Sequence, residues 1–118
     1  VAITAVSSQG YPKGFVANGN SGDASGCETL LAAPGTGLSI YLESVTISCG
    51  SAINVTVGSG VDGAGAVETV LIGPVYLAAN STVTVPLTKP IQLAANKALT
   101  VDASGAGNVT VVASGYVA

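Results

Sequence analysis

LSIYLESVTISC, residues 38 to 49, holds two phases of alternation in one run. Ile40 and Leu42 share one parity, whereas Val45, Ile47 and Cys49 share the other. Successive side chains of a strand point to opposite faces, so an unbroken strand would leave one of these sets in water. A β-bulge at Glu43-Ser44 adds one residue and returns all of them to the same face. The run therefore reads as one long, half-buried strand. Its neighbours read alike. Ile53, Val55 and Val57 face inward with Asn54 and Thr56 outward, Leu99, Val101 and Ala103 alternate, and Val109, Val111 and Ala113 form a closing strand. Val67 to Ile72 is a largely apolar strand. No segment keeps helical periodicity free of glycine and β-branched clusters.

The punctuation between these runs is turn chemistry. Thr29 to Ala33 leads into the turn Pro34-Gly35-Thr36-Gly37, and Gly58 to Gly65 reads as a glycine-rich hairpin loop. Pro74 to Val85 and Pro90 to Val101 are an internal repeat, each copy a strand, an Ala-Ala-Asn turn and a second strand. Asn suits that turn because it tolerates left-handed backbone angles. The copies are expected as two similar hairpins in one sheet system. Pro86 and Pro90 belong at strand ends or on a sheet edge. Eight to ten short strands without helix make an all-β, single-domain antiparallel β-sandwich, with jelly-roll topology as the expected strand order. The sandwich domain spans residues 28–118. Residues 1–27 read as an N-terminal strand, VAITAV, and a flexible connector rich in Gly, Asn and Ser, which together form an assembly arm. Its candidate contact residues are Val1, Ile3, Val6, Tyr11 and Phe15. Such an arm would add as a strand to a neighbour's exposed sheet edge.

Composition narrows the function. The 118 residues include three Lys and six Asp or Glu, 8% charged against about 25% in ordinary domains. With no Arg and a net charge of -3, the chain lacks the phosphate-neutralising charge of a nucleic-acid binder. The longest apolar stretch, Val70 to Ala79, is broken by Gly73-Pro74 and falls short of the ~20 residues of a spanning helix, so no membrane partner is expected. The chain opens on Val1 without any Met, which reads as a processed form. So few charges, on a chain 48% hydrophobic, point to a surface covered in an assembly; the plainer reading is a neutral, Ser/Thr/Gly-coated secreted monomer.

No residue set carries catalysis. Without His the commonest general base and metal ligand are absent, and the serines have no activating partner. Gly58-Ser-Gly60-Val-Asp-Gly63 fits G-x-G-x-x-G, but β-formers follow where a phosphate-binding loop needs a helix. Asp23, Glu28, Glu43, Asp62, Glu68 and Asp102 are scattered singly. The reading is of a protein that is no enzyme and needs no cofactor or metal. Cys27 and Cys49 form either a disulfide or two buried thiols; they would lie near the same end of a hairpin turning at Pro34. Asn54, Asn80 and Asn108 head N-x-T sequons, a mild excess over chance. Tyr11, Phe15, Tyr41, Tyr76 and Tyr116 are spread along the chain, which disfavours a sugar-stacking platform.

The run LLAAPGTGLSIYLESVTIS, residues 30 to 48, resembles small all-β virion proteins of tailed bacteriophages. These carry an apolar strand, an Ala-Pro-Gly-x-Gly turn and a long strand. Gly73-Pro74, Ala78-Ala79-Asn80, Lys89-Pro90 and the Ser104 to Gly107 turn continue the likeness. It covers about residues 28 to 118, and Leu38-Ser39 stand where a basic pair is frequent. The resemblance implies a capsid decoration (cement) protein of the virion surface: a homo-oligomer, by preference a trimer, that binds the major capsid protein and staples neighbouring capsomers. A tail or fibre domain is the close variant. An extracellular filament subunit assembled by strand donation would use the same features.

Overall fold

The computed structural model describes residues 13–21, 27–105 and 108–118. It contains β1 (Lys13–Ser21), β2 (Glu28–Leu31), β3 (Ile40–Cys49), β4 (Ile53–Val61), β5 (Val67–Leu77), β6 (Ser81–Gln92), β7 (Leu99–Ala103) and β8 (Val109–Val117), with no helix among the described residues. The strands form two packed antiparallel sheets, ordered β1-β8-β3-β6 and β2-β7-β4-β5. The all-β sandwich required by the alternation is what the chain forms.

Strand pairing is nested. β4 pairs with β5, β3 with β6, β2 with β7 and β1 with β8, as in one long antiparallel ribbon. The ladders β3–β8 and β4–β7 then join successive pairs into sheets. Of the connections, only β4 to β5 stays within a sheet; every other passes from one sheet to its partner.

This pattern corrects several local expectations. Residues 1–27 are not all arm and connector, because Lys13–Ser21 is a strand that pairs with β8 along its whole length. The reason is non-local: Gly, Asn and Ser in KGFVANGNS are poor strand formers, and the partner strand supplies the ladder. The β2–β3 and Ala-Ala-Asn units are not hairpins either. Each joins strands of opposite sheets, so both repeats are arches over the edge of the core. Their turn chemistry stands, with Asn80 at φ 54° and Asn96 at φ 55°. The leucine opening each turn, Leu77 or Leu93, is buried against the core. Ser104 likewise starts a passage between sheets, tied to β4 by reciprocal bonds with the Asn54 backbone.

β3 lies between β8 and β6, and Ile40, Leu42, Val45 and Ile47 are completely buried. The register shifts between Leu42 and Ser44 on both sides, which places the bulge at Glu43. Against β8 it is a one-residue slip. On the other side β6 passes from Ile91 opposite Leu42 to Pro86 opposite Ser44, so residues 87–90 loop out. Both prolines lie on this edge strand, as their missing N–H groups require. Among the described residues no buried side-chain polar atom lacks a partner; Thr100, fully buried, donates its hydroxyl to Gly60 O at 3.0 Å.

Close approach at the bulge depends on Gly115. A Cβ there would lie 2.0 Å from Tyr41 O. Gly115→Ala is therefore expected to destabilise the fold by at least about 2 kcal/mol, read as a lower denaturation midpoint. The two arches separate a second effect. Asn96 Oδ1 accepts the Gly35 N–H at 3.0 Å, holding the second arch to the Pro34 turn. Asn80 contributes through its backbone angle. Asn96→Gly should cost about 1 kcal/mol more than Asn80→Gly in matched denaturant titrations.

Candidate functional site

Among the described residues no three Cys, Asp or Glu side chains gather where they could hold a metal ion. Lys97 and Glu68 form an exposed ion pair at 3.0 Å. Gly58 and Gly60 are not in a loop: β4 runs on to Val61, and the turn is confined to residues 62–66. A Cβ on Gly58 would lie 2.0 Å from Val67 Cγ1, so this glycine serves strand packing. Asp62 closes the turn, its Oδ1 accepting the N–H of Ala64 at 2.8 Å and of Ala66 at 3.0 Å. The same turn touches the start of β2, where Cys27 N–H donates to Gly65 O at 3.0 Å.

Cys27 and Cys49 are both free thiols, which corrects the disulfide alternative. The hairpin that would have joined them does not exist, because β2 pairs with β7 while β3 pairs with β6 and β8. Cys49 is buried at the end of β3 and directs its thiol to Ala78 O at 3.3 Å. Cys27 is half-buried. Burial first, then the charges of Asp102 and Asp62, push its thiol above the ordinary cysteine range.

Of the arm residues, Val1, Ile3, Val6 and Tyr11 lie outside the described residues. Phe15 belongs to β1 and packs against the core, so it is a sandwich residue and not an arm tip. With Leu31, Pro34, Val117 and Lys13 it lines an open hollow of about 220 Å³ where β1 begins. That is below the roughly 300 Å³ at which small-molecule sites start, and its walls are mostly apolar. Two aromatics do meet: Tyr41 and Tyr116, opposite each other on β3 and β8, stack with centroids 4.7 Å apart. They are 75 positions apart in sequence, and only the register joins them.

The outer face of the first sheet is a uniform surface. Register aligns its side chains in cross-strand rows. One row runs Val16, Ser114, Ser44 and Pro86. The next runs Asn18, Val112, Thr46 and Thr84, and the third Asn20, Thr110, Ser48 and Thr82. None of these positions is charged. Hydroxyls bond along the rows, Ser44 Oγ to Ser114 Oγ at 2.6 Å and Thr46 Oγ1 to Thr84 Oγ1 at 3.2 Å. Glu43 borders the patch in the bulge. Glu28, Glu68 and Asp102 sit on the second sheet, and Asp62 and Lys97 sit in turns. In sequence, Thr46 and Ser48 alternate with the inward Val45 and Ile47, whereas Asn18 and Asn20 fall in the stretch read as connector. Their assembly into one plane is a product of register.

No protein-family model matches the chain, and no curated protein is detectably similar to it.

The environment of Cys27 makes a kinetic prediction. A thiol held above its ordinary pKa carries less thiolate at neutral pH, and thiolate is the nucleophile. Alkylation of Cys27 by iodoacetamide should reach half-maximal rate at higher pH than an unstructured cysteine peptide. Asp102→Asn removes a negative neighbour and should move that midpoint down, as followed by peptide mass mapping.

Proposed function

We propose that this chain is a structural protein of a virion exterior, a decoration (cement) protein that binds the outside of a viral capsid lattice and stabilises it. The observation that carries the reading is the uncharged, hydroxyl-lined outer face of the first sheet. Covering charged groups costs desolvation energy unless each finds a partner. Serine, threonine and asparagine side chains exchange water for a partner's polar groups at little net cost. The stiff ladder beneath holds them in a fixed plane, so docking loses little conformational entropy. Weak contacts of this kind become tight on a repeating lattice, where many are made together.

Strand order supports the same reading. Nested pairs distributed as β1-β8-β3-β6 over β2-β7-β4-β5 are the arrangement a jelly roll produces, an architecture that viral capsid proteins use. A filament built by donating β1 would have to give up its nine-residue ladder with β8.

The test is direct binding to capsids of the virus that encodes the chain, prepared without it. Co-sedimentation should saturate at a fixed number of copies per capsid, and decorated capsids should disrupt at higher temperature. A Thr82→Lys/Thr110→Lys variant places two charges on the face, on the strands that flank β3, without setting them opposite each other. It should keep its melting temperature and lose about tenfold or more in capsid affinity, equivalent to about 1.4 kcal/mol. Absence of saturable binding by the unmodified chain would remove the proposal.

A further inference from the structure

Among the described residues four strands are sheet edges: β1 and β6 in the first sheet, β2 and β5 in the second. An edge presents a row of unpaired N–H and C=O groups, and proteins that stay apart blunt it with proline, charge, bulges or short length. β6 carries Pro86 and Pro90, a looped-out segment and Lys89. β2 has only four residues and a register break between Thr29 and Leu31. β5 is interrupted at Gly73-Pro74, breaks register twice against β4, and holds Glu68 in its ion pair with Lys97.

β1 has none of these devices. Its nine residues keep unbroken register with β8, contain no proline, and carry one charge, at the first position. Val16, in its middle, is 76% exposed and adds an apolar side chain beside the edge. The strand is also complementary to itself. Laid antiparallel on a second copy about Ala17, it sets Phe15 opposite Gly19 and Val16 opposite Asn18, with inner and outer faces in phase. The ring of Phe15 then meets a residue with no side chain. Lys13 falls opposite Ser21, so like charges do not meet.

We infer that β1 is an assembly edge, through which two copies of this chain pair antiparallel about a two-fold axis. The contact is isologous and closes at two, where the family likeness implied three. It joins the first sheets of both copies into one continuous sheet of eight strands and extends the uncharged outer face across the junction. The apolar hollow lined by Phe15, Leu31 and Val117 lies at the end of this same edge.

Native mass spectrometry and sedimentation of the intact chain at micromolar concentration test this. The expected species is a dimer, and Val16→Lys/Asn18→Lys, which gives the edge the charges it lacks, should return it to a monomer that keeps the β-sheet circular-dichroism spectrum of the unmodified chain. A Val16→Cys/Asn18→Cys variant should form a covalent dimer under mild oxidation, because the pairing sets those positions opposite each other, while the unmodified chain does not. A trimer, a dimer that survives the lysines and fails to cross-link, or a monomer would each overturn the inference. Capsid binding by such a monomer would leave the proposed function standing while this pairing fell.

Discussion

The double ladder around β3 is the constraint on which the rest of the molecule depends. β3 is bonded to β8 on one side and β6 on the other, and it supplies four completely buried aliphatic side chains. Its bulge at Glu43 lets both halves of the strand face the same core. The bulge also sets conditions on its neighbours: β8 must present Gly115 where the backbones close up, and β6 must shed residues 87–90 to recover register. Once these are met, Ala118 is placed too, because Ser39 and Ala118 exchange backbone hydrogen bonds beside the start of β3.

From this frame follows the division of the surface. Strand alternation sends most Val, Leu and Ile positions inward and leaves Ser, Thr and Asn outward together with Val16 and Val112, and the ladders collect the outward set of the first sheet into one plane. The few charges of the chain fall mainly on the second sheet, in turns and at the looped-out part of β6. A surface so divided has one side that can be covered without desolvating an ion and another that keeps the protein hydrated. The scarcity of charge in the composition thus becomes a question of where the charges are.

Legibility follows interaction range. The bulge at Glu43-Ser44, the buried sets on β3, β4, β7 and β8, and the left-handed Asn80 and Asn96 are local features, and alternation or turn chemistry exposes them. β1 escaped that reading because Asn-Gly and Gly in KGFVANGNS signal turns, and a strand of such residues exists only through its pairing with β8. The hairpins expected at the Ala-Ala-Asn repeats failed for a related reason: a turn sequence dictates that the chain reverses, while the twist and packing of two sheets decide whether it reverses within a sheet or over its edge. Tyr41 and Tyr116, and the rows of hydroxyls, are assembled by register between strands far apart in the chain, which no single segment encodes.

What the sequence by itself determined is the class of the fold, the faces of its strongest strands and the absence of His, since alternation and composition are properties of the chain alone. What only the tertiary structure decided is which strands are neighbours. That single outcome separates Cys27 from Cys49, turns a supposed connector into an edge strand, and gathers outward Ser, Thr and Asn residues into a face. Pairing between distant strands is settled by the collective fit of two sheets around one core, and no local stretch of residues carries that information.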